Sequence, residues 1–250
     1  MCLITFNWQP DSDQPLVMAG NRDEFHQRPA RPAQFWEAHP NMLAGQDLEA
    51  GGTWMGVTRS GRFAALTNVR RLPAPYKGTI SRGKLVSDYL TSEIEAETYL
   101  NEIAKHPKDY DGFNLLIGTP QACWYYSNYS ENGPQKLEPG LYGLSNHLLN
   151  SPWPKVEHAK QSLQRWLDTQ DSLENLSTLL NRRDTFPDDQ LPDTGIGQTW
   201  ERMLSAPFIV SPEYGTRAGT GLIIGRENIQ WMETSFNTDG DPVGVVKEVF

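Results

Sequence analysis

Cys2 stands directly behind the start methionine, and the polar run Asn21-Arg22-Asp23-Glu24 closes the stretch that follows. Removal of Met1, expected ahead of so small a side chain, would put a free α-amine and a thiol on one residue. An N-terminal cysteine of this kind needs no distant histidine. Its own amine, with an ordinary pKa of about 7.7–8.0, can take the thiol proton directly or through a water and later protonate a leaving amine. Arg22 beside the sulfur would favour the thiolate. Asp23 would hold the amine in orientation, as the third member of a triad does. The oxyanion of the tetrahedral intermediate also needs N–H donors, each worth about 3–4 kcal/mol. Asn68, ending AALTN, and Asn146, in GLSNHLLN, are candidates for that role, and Arg217 in YGTRAGT is a further candidate for the site. Plainer roles stand beside these. Cys2 could be an ordinary buried thiol, and the Asn21–Glu24 run could be a strand end laced by ion pairs, with Glu24 its solvated member. Asparagines at strand ends often bond their own backbone.

The elements that must position these residues follow from hydrophobic periodicity. Residues 2–8 alternate, with Cys2, Ile4, Phe6 and Trp8 on one face and Leu3, Thr5 and Asn7 on the other, which is a strand pattern. QPDSDQP is turn chemistry, and LVMAG reads as a buried return strand. A turn centred near Ser12 sets Cys2 opposite a residue near Arg22 in antiparallel register. The hairpin itself therefore carries Asn21-Arg22-Asp23 back to the first residue. GTWMGVT and GRFAALTNV form a second hairpin turning at Ser60-Gly61. Residues 81–91 read as a helix, and Ser92-Glu93-Ile94-Glu95 as the capping box of another that ends near His106-Pro107. GFNLLIGT, ACWYYSN and LYGLSN are successive strands. Residues 154–168 and 171–182 form two amphipathic helices, followed by a polar loop over 183–197. Strands are expected at 207–210, 215–224, 228–236 and 243–249. With no repeat and no linker, residues 1–250 form one domain, and hairpins interrupted by helix pairs favour an α+β layered fold over a doubly wound parallel sheet.

The chain has 250 residues and a net charge of −9, which argues against nucleic acid as a partner. Between Ala50 and Ser87 there is no Asp or Glu, yet Arg59, Arg62, Arg70, Arg71, Lys77, Arg82 and Lys84 all occur. That basic island suits either an anionic ligand or a solvated surface loop. Two cysteines cannot form a disulfide framework, so a reducing compartment is expected. No apolar run approaches the roughly 20 residues of a membrane span, and the N-terminus lacks the regions of a secretory signal. The chain is therefore expected in the cytoplasm. The five histidines lack zinc spacing, so no metal is expected, and Cys123 reads as packing.

Taken together, NRDE after an MC start, GGTWMG, LTNVR, SRG with LV and YL, GLSN and YGTR resemble the NRDE family, which includes the transport and Golgi organisation 2 proteins. The resemblance runs nearly the whole length. One departure is Ala218-Gly219, where family members often carry Ser-Ser or Ser-Thr after YGTR. More distantly, Gly20-Asn21-Arg22-Asp23, Asn68, Asn146 and Arg217 are ordered as in N-terminal-nucleophile hydrolases of the bile salt hydrolase and penicillin V acylase type. That similarity implies a four-layer αββα sandwich and hydrolysis of a linear amide, with Cys2, Arg22, Asp23, Asn68, Asn146 and Arg217 as catalytic candidates and no cofactor. Asn21, Glu24, Arg70, Arg71 and Arg82 are candidates for ligand contact. The family also implies a second possibility, a haem or acyl-coenzyme A carrier without turnover, since both ligands are apolar bodies with anionic ends. Oligomeric state is not legible.

Overall fold

In the computed structural model, which describes residues 2–250, strand β1 (Cys2–Trp8) is buried on both faces. Ile4, Phe6 and Trp8 point one way and Leu3 the other, as the alternation requires. The return strand β2 (Leu16–Phe25) pairs antiparallel with it, Cys2 opposite Arg22 and Trp8 opposite Leu16. The far edge of β2 receives β11 (Tyr214–Ile224), then β12 (Ile229–Phe236) and β13 (Pro242–Val249). Strand β10 (Gly140–Leu144) flanks β1 on the other side and completes a six-stranded sheet.

The second sheet has seven strands in chain order: β3 (Ala30–Trp36), β4 (His39–Asp47), β5 (Met55–Thr58), β6 (Phe63–Asn68), β7 (Phe113–Thr119), β8 (Ala122–Ser127) and β9 (Gln135–Lys136). Every strand pair in both sheets is antiparallel. Between the sheets lies an apolar core that includes Phe6, Trp8, Phe63, Leu116 and Trp231. Helices α1 (Gly83–Leu90) and α2 (Ala96–Lys105) cover the outer face of the seven-stranded sheet through Leu85, Val86, Tyr89 and Leu100. Helices α3 (Pro154–Thr169) and α4 (Leu173–Ser177) cover the six-stranded sheet, with Val156, Leu163, Trp166 and Leu176 on Leu3, Val17 and Ala19. Each such side chain contributes about 2–3 kcal/mol on leaving water. The layers run α, β, β, α, the α+β sandwich that the sequence resemblance implies. Helix α5 (Gln198–Met203) and the following Leu204, Ile209 and Tyr214 close one end.

Several local expectations need correction. Ser92 caps nothing N-terminal: α2 begins at Ala96 with Glu95 at its cap position and no side-chain cap bond, and the Ser92 hydroxyl donates back to Tyr89 O at 3.0 Å. The expected helix over 171–182 is helical only over Leu173–Ser177. Residues 207–210 are not a strand. Phe208 N–H instead donates to Arg182 O and Thr216 N–H to Ile209 O, which fastens the segment beside the start of β11. Strands β3 and β4 and helix α5 have no counterpart in the sequence reading. Among the described residues no helix is long and apolar enough to cross a membrane.

Candidate active site

The β1–β2 register is the first element of the site. Cys2 and Arg22 are cross-strand partners and share the inner face, while Asp23, the next residue, falls on the outer face. On the opposite edge of β2, Thr216 of β11 pairs with Asp23 and Ala218 pairs with Arg22. The odd residue between them is Arg217, set in a bulge. Asp23 is buried, and its Oδ1 accepts from the Thr216 hydroxyl at 2.7 Å. The Arg22 guanidinium stacks over the Trp54 ring, 4.2 Å from its centroid.

Cys2, Arg22, Asp23, Glu24, Trp54, Asn68 and Arg82 line one cleft of about 120 Å³, with Arg28 and Asp47 at its charged side. Through Asn68 and Arg82 the cleft adjoins a cavity of about 980 Å³ lined by Arg70, Arg71, Lys77 and Arg82 together with Leu72, Tyr76, Tyr129, Ile196, Trp200 and Leu204. Four of the seven basic residues of the island, Arg70, Arg71, Lys77 and Arg82, thus wall a cavity, whereas Arg59 lies over Phe35 and Phe250 and Arg62 over Tyr89. Arg82 donates to Gly112 O at 3.0 Å and faces both spaces. Arg70 is buried and ion-paired with Glu201 at 2.7 Å, and its guanidinium lies 5.0 Å from the Trp153 ring centroid.

Asn146 takes a different place from the cleft wall. It is fully buried, its Nδ2 donates to Asn68 O at 3.0 Å, and its own carbonyl accepts from Arg70 N–H at 2.8 Å. The Ser145 hydroxyl contacts both Cys2 O and Asn146 Oδ1 at 3.2 Å. Asn146 therefore braces Asn68 and, through Ser145, the first strand. Behind it, Thr67 Oγ1 donates to Ser145 O at 2.6 Å and Asn114 Nδ2 donates to His147 O at 2.9 Å, so hydrogen bonds join the two sheets beside the cleft. Asn21 points away from Cys2, its Nδ2 donating to Leu180 O and Pro207 O at 2.9 Å each. Arg217 lies outside the cleft lining and clamps the turn after β2, with Nη1 donating to the carbonyls of Phe25, His26 and Arg28. The Glu24 carboxylate accepts from Phe25 N–H at 2.9 Å.

Charge at the site is governed by burial. Burial raises the Cys2 thiol above its ordinary value; Arg22 acts the opposite way, as its proximity suggests, without cancelling it. Burial also raises Asp23 to about 6, against the pull of Lys155 and the Thr216 hydrogen bond. Lys155, in the first turn of α3, is itself buried and lowered to about 8. Sequence reading passes over Lys155, because a lysine in an amphipathic helix reads as solvent-facing. It also passes over Trp54, Thr216 and Arg28. Of these, Trp54 and Thr216 carry a visible signal, their places in GGTWMG and YGTR. Both cysteines are free thiols, and Cys123 lies in the inter-sheet core. Met1 and its removal lie outside the described residues.

An arrangement with a thiol, a guanidinium and a buried carboxylate at one strand end can perform acyl transfer if the chain begins at Cys2. Among solved structures, a Caenorhabditis elegans N-acylethanolamine-hydrolysing acid amidase ortholog superposes with a TM-score of 0.51 at 8% identity, covering 89% of this chain and 92% of its own. A variant of the conjugated bile acid hydrolase from Clostridium perfringens gives 0.42 at 10% identity, covering 99% and 96%. The likeness to the amidase is one of fold. In sequence, the Transport and Golgi organization protein 2 homolog of Bos taurus is 35% identical over 245 residues, 90% of this chain and 88% of that protein. The Drosophila melanogaster Transport and Golgi organization protein 2 is 31% identical over 272 residues, 98% and 95%. The family model for Transport and Golgi organisation 2 matches residues 1–238, and the chain belongs to that family.

Proposed function

We propose that the protein is an N-terminal-nucleophile hydrolase that cleaves a linear amide, with Cys2 as nucleophile after loss of Met1. The observation that supports this most is the strand register that sets Cys2 opposite Arg22, with buried Asp23 adjacent, in one cleft. The α-amine of Cys2 takes the thiol proton, and Sγ attacks the amide carbonyl. Asn68 donates to the oxyanion, with Asn146 holding it in place. Collapse breaks the C–N bond, the ammonium returns its proton to the leaving amine, and a thioester remains on Cys2. Water then attacks the thioester and restores the thiol. Asp23 orients the amine, and Arg82 with Arg71 receives an anionic part of the substrate. Two free thiols suit a reducing cytoplasm.

Intact-mass spectrometry of the native protein with and without iodoacetamide tests this reading. Met1 should be absent and Cys2 should alkylate faster than Cys123. A panel of N-palmitoyl amides should release palmitate, and Cys2→Ser should abolish the release. Retained Met1 in the native protein defeats the proposal.

The large cavity favours a second reading, a carrier of haem or acyl-coenzyme A. Its apolar wall of Leu72, Ile196, Trp200 and Leu204 lies beside Arg70, Arg71 and Arg82. Titration with hemin and with palmitoyl-coenzyme A, followed by product analysis, separates the two. Binding without turnover and unchanged by Cys2→Ser favours the carrier.

A further inference from the structure

Arginine is almost never fully buried unless it is paired. Arg22 is 6% exposed on the inner face of β2, yet among the described residues its side chain has no ion pair and no hydrogen bond. Acids beside it are turned elsewhere. Glu233 of β12 accepts from Ala33 N–H at 2.7 Å through Oε1, and Glu24 of β2 accepts from Phe25 N–H at 2.9 Å. What the Arg22 guanidinium meets is a ring, its carbon lying 4.2 Å from the Trp54 centroid, well within cation–π reach. Trp54 is itself fixed for this contact. Its carbonyl accepts from Leu66 N–H at 2.8 Å, Thr53 N–H just before it donates to Gly83 O at 3.2 Å, and its ring packs on the inter-sheet core. On β4, Gly45 leaves the ring its room, since a Cβ there would stand 2.3 Å from Trp54 Cη2. Cys2, Arg22 and Trp54 together line the cleft and an adjoining void of about 10 Å³. We propose that Trp54 is a positioning residue of the Cys2 centre, its ring face holding the Arg22 guanidinium beside the sulfur without neutralising it.

The inference rests on the N-terminal-nucleophile reading for its purpose and on this stacking for its physics. A carboxylate in place of the ring would also hold the guanidinium. Its negative charge would then stand near the sulfur and offset the cation's pull on the thiol proton. An aromatic face attracts the cation through its quadrupole and carries no net charge. The guanidinium therefore favours the thiolate with no counter-charge in contact with it. Among the described elements, Cys2 is faced by Arg22 and Asp23 of β2, Arg82 ahead of α1, Lys155 of α3 and Tyr214 of β11. Arg22 is faced in addition by Glu233 of β12 and Arg217 of β11. Of the cations, Arg22 is the cross-strand partner of Cys2.

The test joins a ¹H–¹⁵N NMR spectrum of the arginine side chains in the full-length protein to the pH profile of Cys2 alkylation by iodoacetamide. Cys123 is the internal reference, and wild type is compared with Trp54→Leu and Trp54→Phe. A guanidinium over an indole face is shielded by the ring current. The Arg22 Nε–H proton, assigned by its absence in Arg22→Gln, should therefore lie upfield of the other arginines. In Trp54→Leu it should return to the ordinary position, and alkylation of Cys2 at pH 7 should slow about threefold as its midpoint moves up. Trp54→Phe, which keeps a ring face, should hold both readouts near wild type. A merely structural role would lower the melting temperature of Trp54→Leu and leave the Cys2 midpoint in place. An unshielded Arg22 proton in wild type overturns the proposal whether or not Trp54→Leu folds. So does a folded Trp54→Leu protein with an unmoved Cys2 midpoint. Neither readout needs turnover. A shielded Arg22 and a moving midpoint in a protein that never acylates at Cys2 would keep the positioning role and remove the hydrolase. An unshielded Arg22 in a protein that does acylate would do the reverse.

Discussion

The Cys2 sulfur is held between opposing influences, since burial raises its pKa and Arg22 lowers it. The guanidinium is itself placed by Trp54, whose ring it covers. Arg22→Gln removes the cation and leaves the burial, so the thiol should be pushed higher still. Alkylation of Cys2 by iodoacetamide at pH 7 should slow about tenfold, measured by peptide mass spectrometry with Cys123 as internal reference. An unchanged rate would show that Arg22 does not activate the sulfur. A second buried acid lies nearby on β12. Glu233 is 1% exposed; its Oε1 accepts from Ala33 N–H at 2.7 Å, and its Oε2 has no hydrogen-bond partner among the described residues. Burial raises it from 4.5 to about 7 against the pull of Arg22. A carboxyl whose folded value lies above its unfolded one favours the fold in its protonated form. That contribution is full below about 4.5 and is lost as pH rises through about 7. Glu233→Gln should therefore be more stable than wild type at pH 8 by on the order of 2–3 kcal/mol and nearly equal to it at pH 4. Urea unfolding at the two pH values checks this, and an equal difference at both would contradict it.

Strands β1 and β2 were legible because two-residue alternation and a Pro- and Asp-rich turn fix both faces and register together, and the register alone delivers Arg22 to Cys2. Strands β3 and β4 were not, since ARPAQFW and HPNMLAGQD carry prolines and exposed positions that mask any period. The apolar run at 207–210 misleads in the opposite sense, because its backbone bonds go to Arg182 and Thr216 rather than to a strand ladder. Lys155 owes its burial to the docking of α3, and Thr216 its contact with Asp23 to the pairing of β2 with the distant β11, neither of which a single chain's periodicity encodes. Glycine pairs mark another such contact. A Cβ on Gly52 would stand 2.4 Å from the Gly83 carbonyl carbon, at the start of α1, and Thr53 N–H donates to Gly83 O at 3.2 Å. Arg82, immediately before Gly83, faces both the cleft and the cavity. Gly52→Ala should push the start of α1 away and cost about 2 kcal/mol. Urea unfolding measures the loss, and faster amide exchange over 83–87 locates it. Wild-type stability and exchange would mean the approach of the two loops is slack.

The sandwich as a whole has one edge whose closure depends on the last strand. The family model ends at residue 238, ahead of β13. Among the described residues β13 pairs only with β12, setting Val246 opposite Glu233 and Glu248 opposite Trp231. Val246 and Phe250 pack on the inter-sheet core. The Phe250 ring meets Phe35 of β3 edge-on at 5.2 Å, and the Arg59 guanidinium lies 3.9 Å from the Phe35 ring centroid and 5.3 Å from that of Phe250. These contacts pin an edge of the six-stranded sheet to an edge of the seven-stranded one. A variant ending at Asn237 would uncover the β12 ladder, expose Trp231 and Glu233, and release that pin. It should lose about 3 kcal/mol of stability and self-associate through the bared edge in a concentration-dependent way, read by urea unfolding and analytical ultracentrifugation. The Cys2 cleft lies on the far side of β2 and β11 from that edge. The fraction that stays folded should therefore keep the faster alkylation of Cys2 over Cys123. Unchanged stability would show that β13 is an appendage, whereas loss of Cys2 selectivity in the folded fraction would show that the edge and the site are one cooperative unit.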